Sequence, residues 1–224
     1  MLEKIPVIGR VAKKVWKKIK GGSPFTTSEK YWEDRYKRGG NSGLGSYNDL
    51  AVFKASIINA FVDKNQLSTI IEFGCGDGNQ LKYFNFKSYT GYDVSSTAIA
   101  ICRELHKGDS SKQFKPIGAY EGEQASLTLS LDVIYHLIEE EIFAAYMEKL
   151  FNASEKFVIV YSSNADEHPN NGMHPHVKHR KFTQWVEENA PQFKLIEHIP
   201  NKYPYQGNTA TFSYADFYIF QKQK

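Results

Sequence analysis

Thr69-Ile70-Ile71-Glu72-Phe73-Gly74-Cys75-Gly76-Asp77-Gly78 decides how this 224-residue chain reads. The apolar run predicts a buried strand over 69–74. The three alternating glycines predict a tight turn into a helix over 78–85. Glycine adopts backbone angles closed to other residues and lets a ligand approach the main chain, as happens at the carboxyl end of a parallel strand. The spacing is Gly-x-Gly-x-Gly, with an acid, Glu72, two residues before the first glycine. A dinucleotide site instead has Gly-x-Gly-x-x-Gly, which turns helix N–H groups toward a pyrophosphate.

A second acid follows. Ser88-Tyr-Thr-Gly-Tyr-Asp93 reads as the next strand. An acid closing the second strand of such a fold can accept both hydroxyls of a ribose. Strand-ending Asp residues also serve as turn and helix-cap residues. Together, Glu72, the glycine turn and Asp93 resemble motif I and its partner acid in class I S-adenosylmethionine (SAM)-dependent methyltransferases. The resemblance implies SAM as cofactor. It implies contacts from Glu72, Gly74, Cys75, Gly76, Asp77 and Gly78, from Asp93 and Val94 on the second strand, from Ala119 after the third, and from Ser130 and Leu131 on the fourth.

Working outward, strands are predicted at 69–74, 88–93, 113–118, 127–132, 156–162, 193–199 and 213–221. Helices are predicted at about 48–62, 78–85, 95–107, 138–152 and 182–190. Strand–helix alternation followed by two late strands predicts an α/β fold, a Rossmann-like, mostly parallel sheet with helices on both faces. The methyltransferase resemblance implies seven strands, the last one antiparallel. Residues 23–224 are expected to form that domain. Before its first strand lie Tyr31-Trp-Glu-Asp-Arg-Tyr36 and the glycine-rich 39–47. The segment is too rich in glycine to pack as an element and is suited to fold over a ligand as a lid. In similar methyltransferases such a segment covers the cofactor. That makes Tyr31, Trp32, Arg35, Tyr36 and Ser46 candidate contacts, with Arg35 suited to the methionine carboxylate; an aromatic helix face packed on the core is an equal reading of Trp32.

Charge is divided unevenly. Residues 1–20 hold seven Lys or Arg and one acid, leaving 21 basic against 24 acidic residues of the 28 and 25 in the whole chain. The body is therefore no basic nucleic-acid binder, and no nucleic-acid partner is expected. Residues 1–22 read as a basic amphipathic helix followed by a Gly-Gly break. It is suited to an anionic membrane surface, to a protein partner, or to packing on its own domain or a second copy, which leaves a dimer open. Two cysteines without paired spacing fit a reducing compartment. With no span-length apolar stretch and no apolar signal core, the expected place is cytoplasmic, with the inner-membrane periphery open to residues 1–20.

The chemistry is expected where strand four ends, Ser130-Leu-Asp132-Val-Ile-Tyr135-His136-Leu137. Methyl transfer to a hydroxyl needs an aligned acceptor and a base for its proton. His136 titrates near neutrality when unperturbed and is the candidate base. Asp132 would orient it or hold the acceptor, and Tyr135 would complete the site or pack. No Asp-Pro-Pro-Tyr motif is present, which argues against methylation of exocyclic base nitrogens. Four of the seven histidines then fall at 168, 174, 176 and 179. His176, His179 and Arg180 are expected to bind an anionic acceptor such as a phosphate or sugar nucleotide. The alternative is a metal held by His136, His176 and His179 with Asp132. It loosely resembles the metal-dependent small-RNA 2′-O-methyltransferases, although Asp132 and Tyr135 stand where those enzymes carry glutamates.

Residues 28–220 resemble one family of bacterial class I methyltransferases found among genes for capsule and O-antigen synthesis. The matching segments are 31–36, 45–55, 72–81, 129–137 and 176–182. The resemblance implies methyl transfer to an oxygen of a small molecule, or of a sugar- or nucleotide-linked precursor in surface polysaccharide biosynthesis. Besides the RNA enzyme, a non-catalytic SAM-binding scaffold is the remaining alternative.

Overall fold

Strand β1 (Thr69–Phe73) is buried on both sides from Ile70 onward, as a central strand must be. Its alternate side chains feed two cores. Ile70 packs on one face of the sheet with Ile58, Phe61 and Val62, and Ile71 packs on the other with Met147, Leu150 and Phe151. The same alternation runs through β5 (Ser154–Ser162) and β7 (Asp216–Lys222), where Ile159 and Ile219 face the first core and Val158 and Phe220 the second. The remaining strands are β2 (Ser88–Asp93), β3 (Lys112–Pro116), β4 (Ala125–Leu131) and β6 (Phe193–Ile199). This computed structural model describes residues 25–167, 174–206 and 213–223. The basic segment 1–22 lies outside them.

The sheet has seven strands in the order β3-β2-β1-β4-β5-β7-β6. The pairs from β3 through β5 are parallel; β7 inserts antiparallel between β5 and β6. The predicted Rossmann-like sheet, with its last strand antiparallel, is therefore the one formed. Strand order reverses between β1 and β4, and that switch point opens a crevice at the strands' carboxyl ends.

Helices α1 (Ser28–Lys37), α2 (Asn48–Asn65), α3 (Ser96–Leu105), α4 (Glu140–Asn152) and α5 (Phe182–Asn189) surround the sheet. The helix expected over 78–85 is instead a short 3₁₀ segment, Asn79–Tyr83. Phe84 and Phe86 explain the shortening. Their rings stack 4.7 Å apart in the core, and continuing the helix would pull them out.

Helix α1 lies on the domain through carboxylates. Glu33 accepts hydrogen bonds from Ser95 Oγ (2.6 Å), Thr97 N (3.2 Å) and Thr97 Oγ1 (2.9 Å) at the start of α3. At the other end, Glu139 accepts from Ser28 N and Ser28 Oγ (3.0 and 2.6 Å). The Ser95 hydroxyl and its neighbours hold the Glu33 carboxyl down at about 2. Glu33→Ala removes acceptors from a helix N-terminus and is expected to cost about 1–2 kcal/mol of stability. Because the folded pKa is depressed, that contribution is present above the ordinary carboxylate range and disappears as pH falls toward about 2. Urea titrations at pH 7 and pH 3 check this: the gap between variant and wild type should narrow at the lower pH.

Candidate functional site

A cavity of about 750 Å³ opens at the carboxyl ends of β1, β2 and β4. Its floor is the glycine turn. Gly74 and Gly76 both have positive φ, +83° and +58°. A Cβ at Gly74 would stand 2.5 Å from Val133 Cγ2, and one at Gly76 would collide with Ser42 Oγ. Neither position accepts a side chain, and the bare backbone is what the cavity meets.

Asp93 forms the next wall. It is buried, with Oδ2 accepting from Gly76 N (2.9 Å) and Oδ1 from Ser95 N (2.8 Å). Two main-chain donors thus aim a carboxylate across the turn, and Val94 lines the cavity beside it. Burial pushes the Asp93 carboxyl up to about 6.

The segment 39–47 is expected to be too glycine-rich to pack, and the structure corrects this. Ser42 N donates to Asp77 Oδ2 and Ser42 Oγ accepts from Asp77 N, both at 2.9 Å. Tyr47 OH reaches the same carboxylate at 2.7 Å, and Asn79 Nδ2 donates to Ser46 O at 2.7 Å. Paired polar groups here do the packing that apolar side chains do elsewhere. The segment closes over the turn, and Ser42 and Ser46 join the lining.

At β4 the chain passes through Asp132 in a left-handed conformation, φ +62°. Asp132 Oδ2 accepts from Lys54 Nζ at 2.6 Å and Oδ1 from Tyr135 OH at 2.7 Å. The Lys54 side chain is 0 % exposed. The next turn presents His136, whose Nδ1 lies 2.9 Å from the main-chain oxygen of His176. A carbonyl only accepts, so Nδ1 carries the proton and Nε2 keeps its lone pair. Burial lowers the His136 pKa to about 4, and the ring stays neutral at physiological pH. The Trp32 ring packs against it edge-on at 4.9 Å.

Among the residues expected from sequence, Ser46, Gly74, Cys75, Gly76, Asp93, Val94, Leu131, Asp132 and His136 line this one cavity, as do Trp32 and Tyr36. Others stand elsewhere. Glu72 is buried behind the wall, accepting from Gln80 Nε2 (3.2 Å) and Tyr89 OH (2.6 Å). Asp77 holds the closed segment, and Gly78 packs toward Cys102. Ser130 accepts from Tyr146 OH at 2.7 Å, within the sheet's buried layer. Ala119 is exposed, and Ile117 takes the lining position after β3. Arg35 turns away: Nε donates to Asn41 O at 2.6 Å. Tyr31 stacks on His176 at 4.4 Å.

The histidine-rich segment is engaged in structure. His179 is buried, with Nδ1 2.6 Å from Ser163 Oγ. Arg180 donates to Glu140 Oε2 (3.0 Å), Leu137 O (2.8 Å) and Ile138 O (2.9 Å), fastening the turn after β4 to the start of α4. Among the described residues, no three His, Cys, Asp or Glu side chains are grouped to hold a metal ion. His168 lies outside the described residues.

Lys54 and Gln80 are among the residues of the site that went unread in the sequence. Lys54 carried a signal: Leu50, Ala51, Ala55, Ile58, Phe61 and Val62 form the buried face of α2, and a lysine on that face demands a buried partner. Gln80 lines the cavity. Its Nε2 is bonded to Glu72, while its Oε1 is buried without a partner. The bare backbone at Gly74 and Gly76 and the carboxylate of Asp93 on the same cavity suit a ligand with a ribose, as SAM has.

No protein-family model matches the chain, and no curated protein matches it significantly. Solved structures do match. The N-methyltransferase NodS from Bradyrhizobium japonicum, in complex with S-adenosylhomocysteine (SAH), superposes with a TM-score of 0.67 at 14% identity, covering 89% of this chain and 100% of that one. Magnesium protoporphyrin IX methyltransferase (ChlM) from Synechocystis with bound SAH gives 0.58 at 14% identity over 95% of each chain. The methyltransferase domain of bacterial CtHen1 gives 0.56 at 20% identity, over 80% of this chain and 100% of that one. At these identities the likeness establishes the fold, that of SAM-dependent methyltransferases.

Proposed function

We propose that this chain is a SAM-dependent methyltransferase whose acceptor is an oxygen of a small molecule, or of a sugar- or nucleotide-linked precursor used in surface polysaccharide synthesis. The observation that carries the reading is one cavity lined both by Asp93, bonded to the glycine turn, and by the neutral His136, whose Nε2 keeps its lone pair. Asp93 would hold the ribose of SAM, and the backbone at Gly74 and Gly76 would pass beneath its methionine end. The cofactor supplies a methyl group on a sulfonium. The acceptor oxygen would take that methyl, the sulfur leaving as a neutral thioether, and His136 Nε2 would accept the hydroxyl proton. Asp132, fixed by Lys54 and Tyr135, keeps a carboxylate at the same wall to hold the acceptor. The sequence resemblance to the capsule-associated family supports the glycan half of the reading. Structural neighbours include an N-methyltransferase and a carbon methyltransferase, so the acceptor atom rests on His136.

The test is transfer of labelled methyl from SAM to a panel of sugars, sugar nucleotides and small hydroxylated acceptors, alongside SAH calorimetry. SAH binding with oxygen-linked label in a product is the expected result. SAH binding with no transfer to any acceptor would leave a SAM-binding scaffold. Transfer to a small RNA that stops on chelation would favour the metal-dependent alternative.

Asp93→Asn checks the cofactor end separately. One accepting oxygen becomes an NH₂ that only donates, and SAH affinity should fall about 30-fold. Relief of the buried charge, whose cost to folding grows as pH rises from the ordinary carboxylate range toward about 6, is offset by the Gly76 or Ser95 N–H left without an acceptor. Calorimetry with SAH checks this, and an unchanged affinity would contradict the assignment.

A further inference from the structure

His136 can take a proton at Nε2 only while its own proton stays on Nδ1. The hydrogen bond made by one ring nitrogen decides where that proton sits, and an unconstrained imidazole favours Nε2. The fold must therefore impose the proton-accepting tautomer. A main-chain carbonyl does so, that of His176, 2.9 Å from Nδ1. Its direction is set by its own peptide. Val177 N donates to His174 O at 3.1 Å, and a planar trans peptide sends the His176 carbonyl the opposite way, toward His136. Further along, Lys178 N donates to Tyr135 O at 2.8 Å, and Arg180 holds the Leu137 and Ile138 carbonyls. These bonds tie the downstream side of His176 to the turn after β4.

The ring of His176 supplies a second hold. It runs nearly parallel to two other rings, Tyr31 at 4.4 Å and 13° and His136 at 5.6 Å and 15°. Burial lowers the pKa of His176 as it does that of His136, so both imidazoles are neutral at physiological pH and no like charges meet in the stack. Tyr31 stands outside the cavity wall. It lies on α1 between Ser28 and Glu33, the residues that fix this helix to the starts of α4 and α3. Resting on the methyltransferase reading, we propose that Tyr31 is a positioning residue: by stacking on His176 it holds that residue's carbonyl against His136 Nδ1, and so keeps the base in the tautomer that accepts at Nε2. The same helix gives Ser28, Glu29, Trp32 and Tyr36 to the cavity wall. The base is thus set to accept a proton when the helix that walls the cavity is in place.

The tautomer can be read directly. In the whole protein labelled with nitrogen-15, a long-range proton–nitrogen correlation spectrum separates a protonated ring nitrogen from a bare one, and His136 is assigned by its loss in His136→Gln. The unmodified protein should carry the His136 proton on Nδ1. In Tyr31→Ala the population should shift toward the proton on Nε2, whereas Tyr31→Phe, which keeps the ring, should match the unmodified protein. With an oxygen acceptor from the panel above, kcat should fall about fivefold in Tyr31→Ala and recover in Tyr31→Phe, with SAH affinity and acceptor KM within twofold throughout. A role in stability alone would move neither the tautomer nor kcat. An unshifted tautomer or an undiminished kcat in Tyr31→Ala overturns the proposal, as does a Phe variant that behaves like the Ala variant. Should Tyr31→Ala fail to fold, Tyr31→Leu fills more of the space without the ring and carries the same expectations. A His136 proton on Nε2 in the unmodified protein would overturn the proposal without any variant. Failure of the unmodified protein to bind SAH would instead overturn the methyltransferase reading, whichever tautomer His136 holds.

Discussion

Replacing His136 with Ala should lower methyl transfer by about 10²- to 10³-fold while leaving SAH affinity within twofold. The reason is the division of the cavity. Asp93 and the glycine turn line it from the ends of β2 and β1, and His136 reaches it from the turn after β4. Its Nδ1 proton is committed to the His176 carbonyl, so the ring has one role left, acceptance at Nε2. Burial lowers its pKa to about 4, which makes it a weak base. A weak base is sufficient because the hydroxyl proton becomes acidic only as the new C–O bond forms, so it is accepted late in the transition state. The same weakness places the expected effect at the lower end for general-base groups. The pH dependence has a defined sign. Depressed in the fold, His136 stays neutral while an unfolded chain protonates, so stability falls as pH drops from the ordinary histidine range toward about 4. Single-turnover measurement with a saturating acceptor checks the rate, and calorimetry with SAH checks the binding. Undiminished turnover in the Ala variant would remove His136 from the mechanism.

The sheet was legible because buried strands announce themselves by composition, and Ile70-Ile71, Leu127–Leu131 and Val158–Val160 do so without competing signals. The cofactor end was legible for a different reason. Gly74 and Gly76 must be glycine, and a positive φ next to Val133 or Ser42 leaves no substitute. What the sequence concealed was direction. Tyr31, Trp32, Arg35 and Tyr36 occupy one helix, and their pattern does not say which pair faces in. Trp32 and Tyr36 line the cavity, while Tyr31 and Arg35 point to His176 and Asn41. Pairings across distance were hidden likewise. Arg180 reads as a free cation until Glu140 and the Leu137 and Ile138 carbonyls, some forty residues away, are seen around it. His179 reads as a ligand until Ser163 is found against its ring.

Lys54→Met should destabilise the protein by about 3–5 kcal/mol, the largest loss expected of any single change in the site. The lysine side chain is wholly enclosed and its partner Asp132 is 12% exposed, with 2.6 Å between Nζ and Oδ2. The methionine would satisfy the apolar face of α2. The cost arises from what remains: a carboxylate in a left-handed turn, held by Tyr135 OH and without its counter-ion. If that is the cause, removing the orphaned charge should restore stability. Lys54→Met with Asp132→Asn should then recover at least half of the loss, which urea titration of the two singles and the double would show. Additive losses would mean instead that Lys54 contributes through packing alone, including its place 5.3 Å over the Tyr161 ring. The same substitution reaches the cofactor end. Lys54 is one of the charges that lower the Glu72 carboxyl, and without it Glu72 would keep its proton to higher pH. A single buried ammonium therefore supports the acceptor wall at Asp132 and the cofactor wall behind Gln80, and its loss should weaken both.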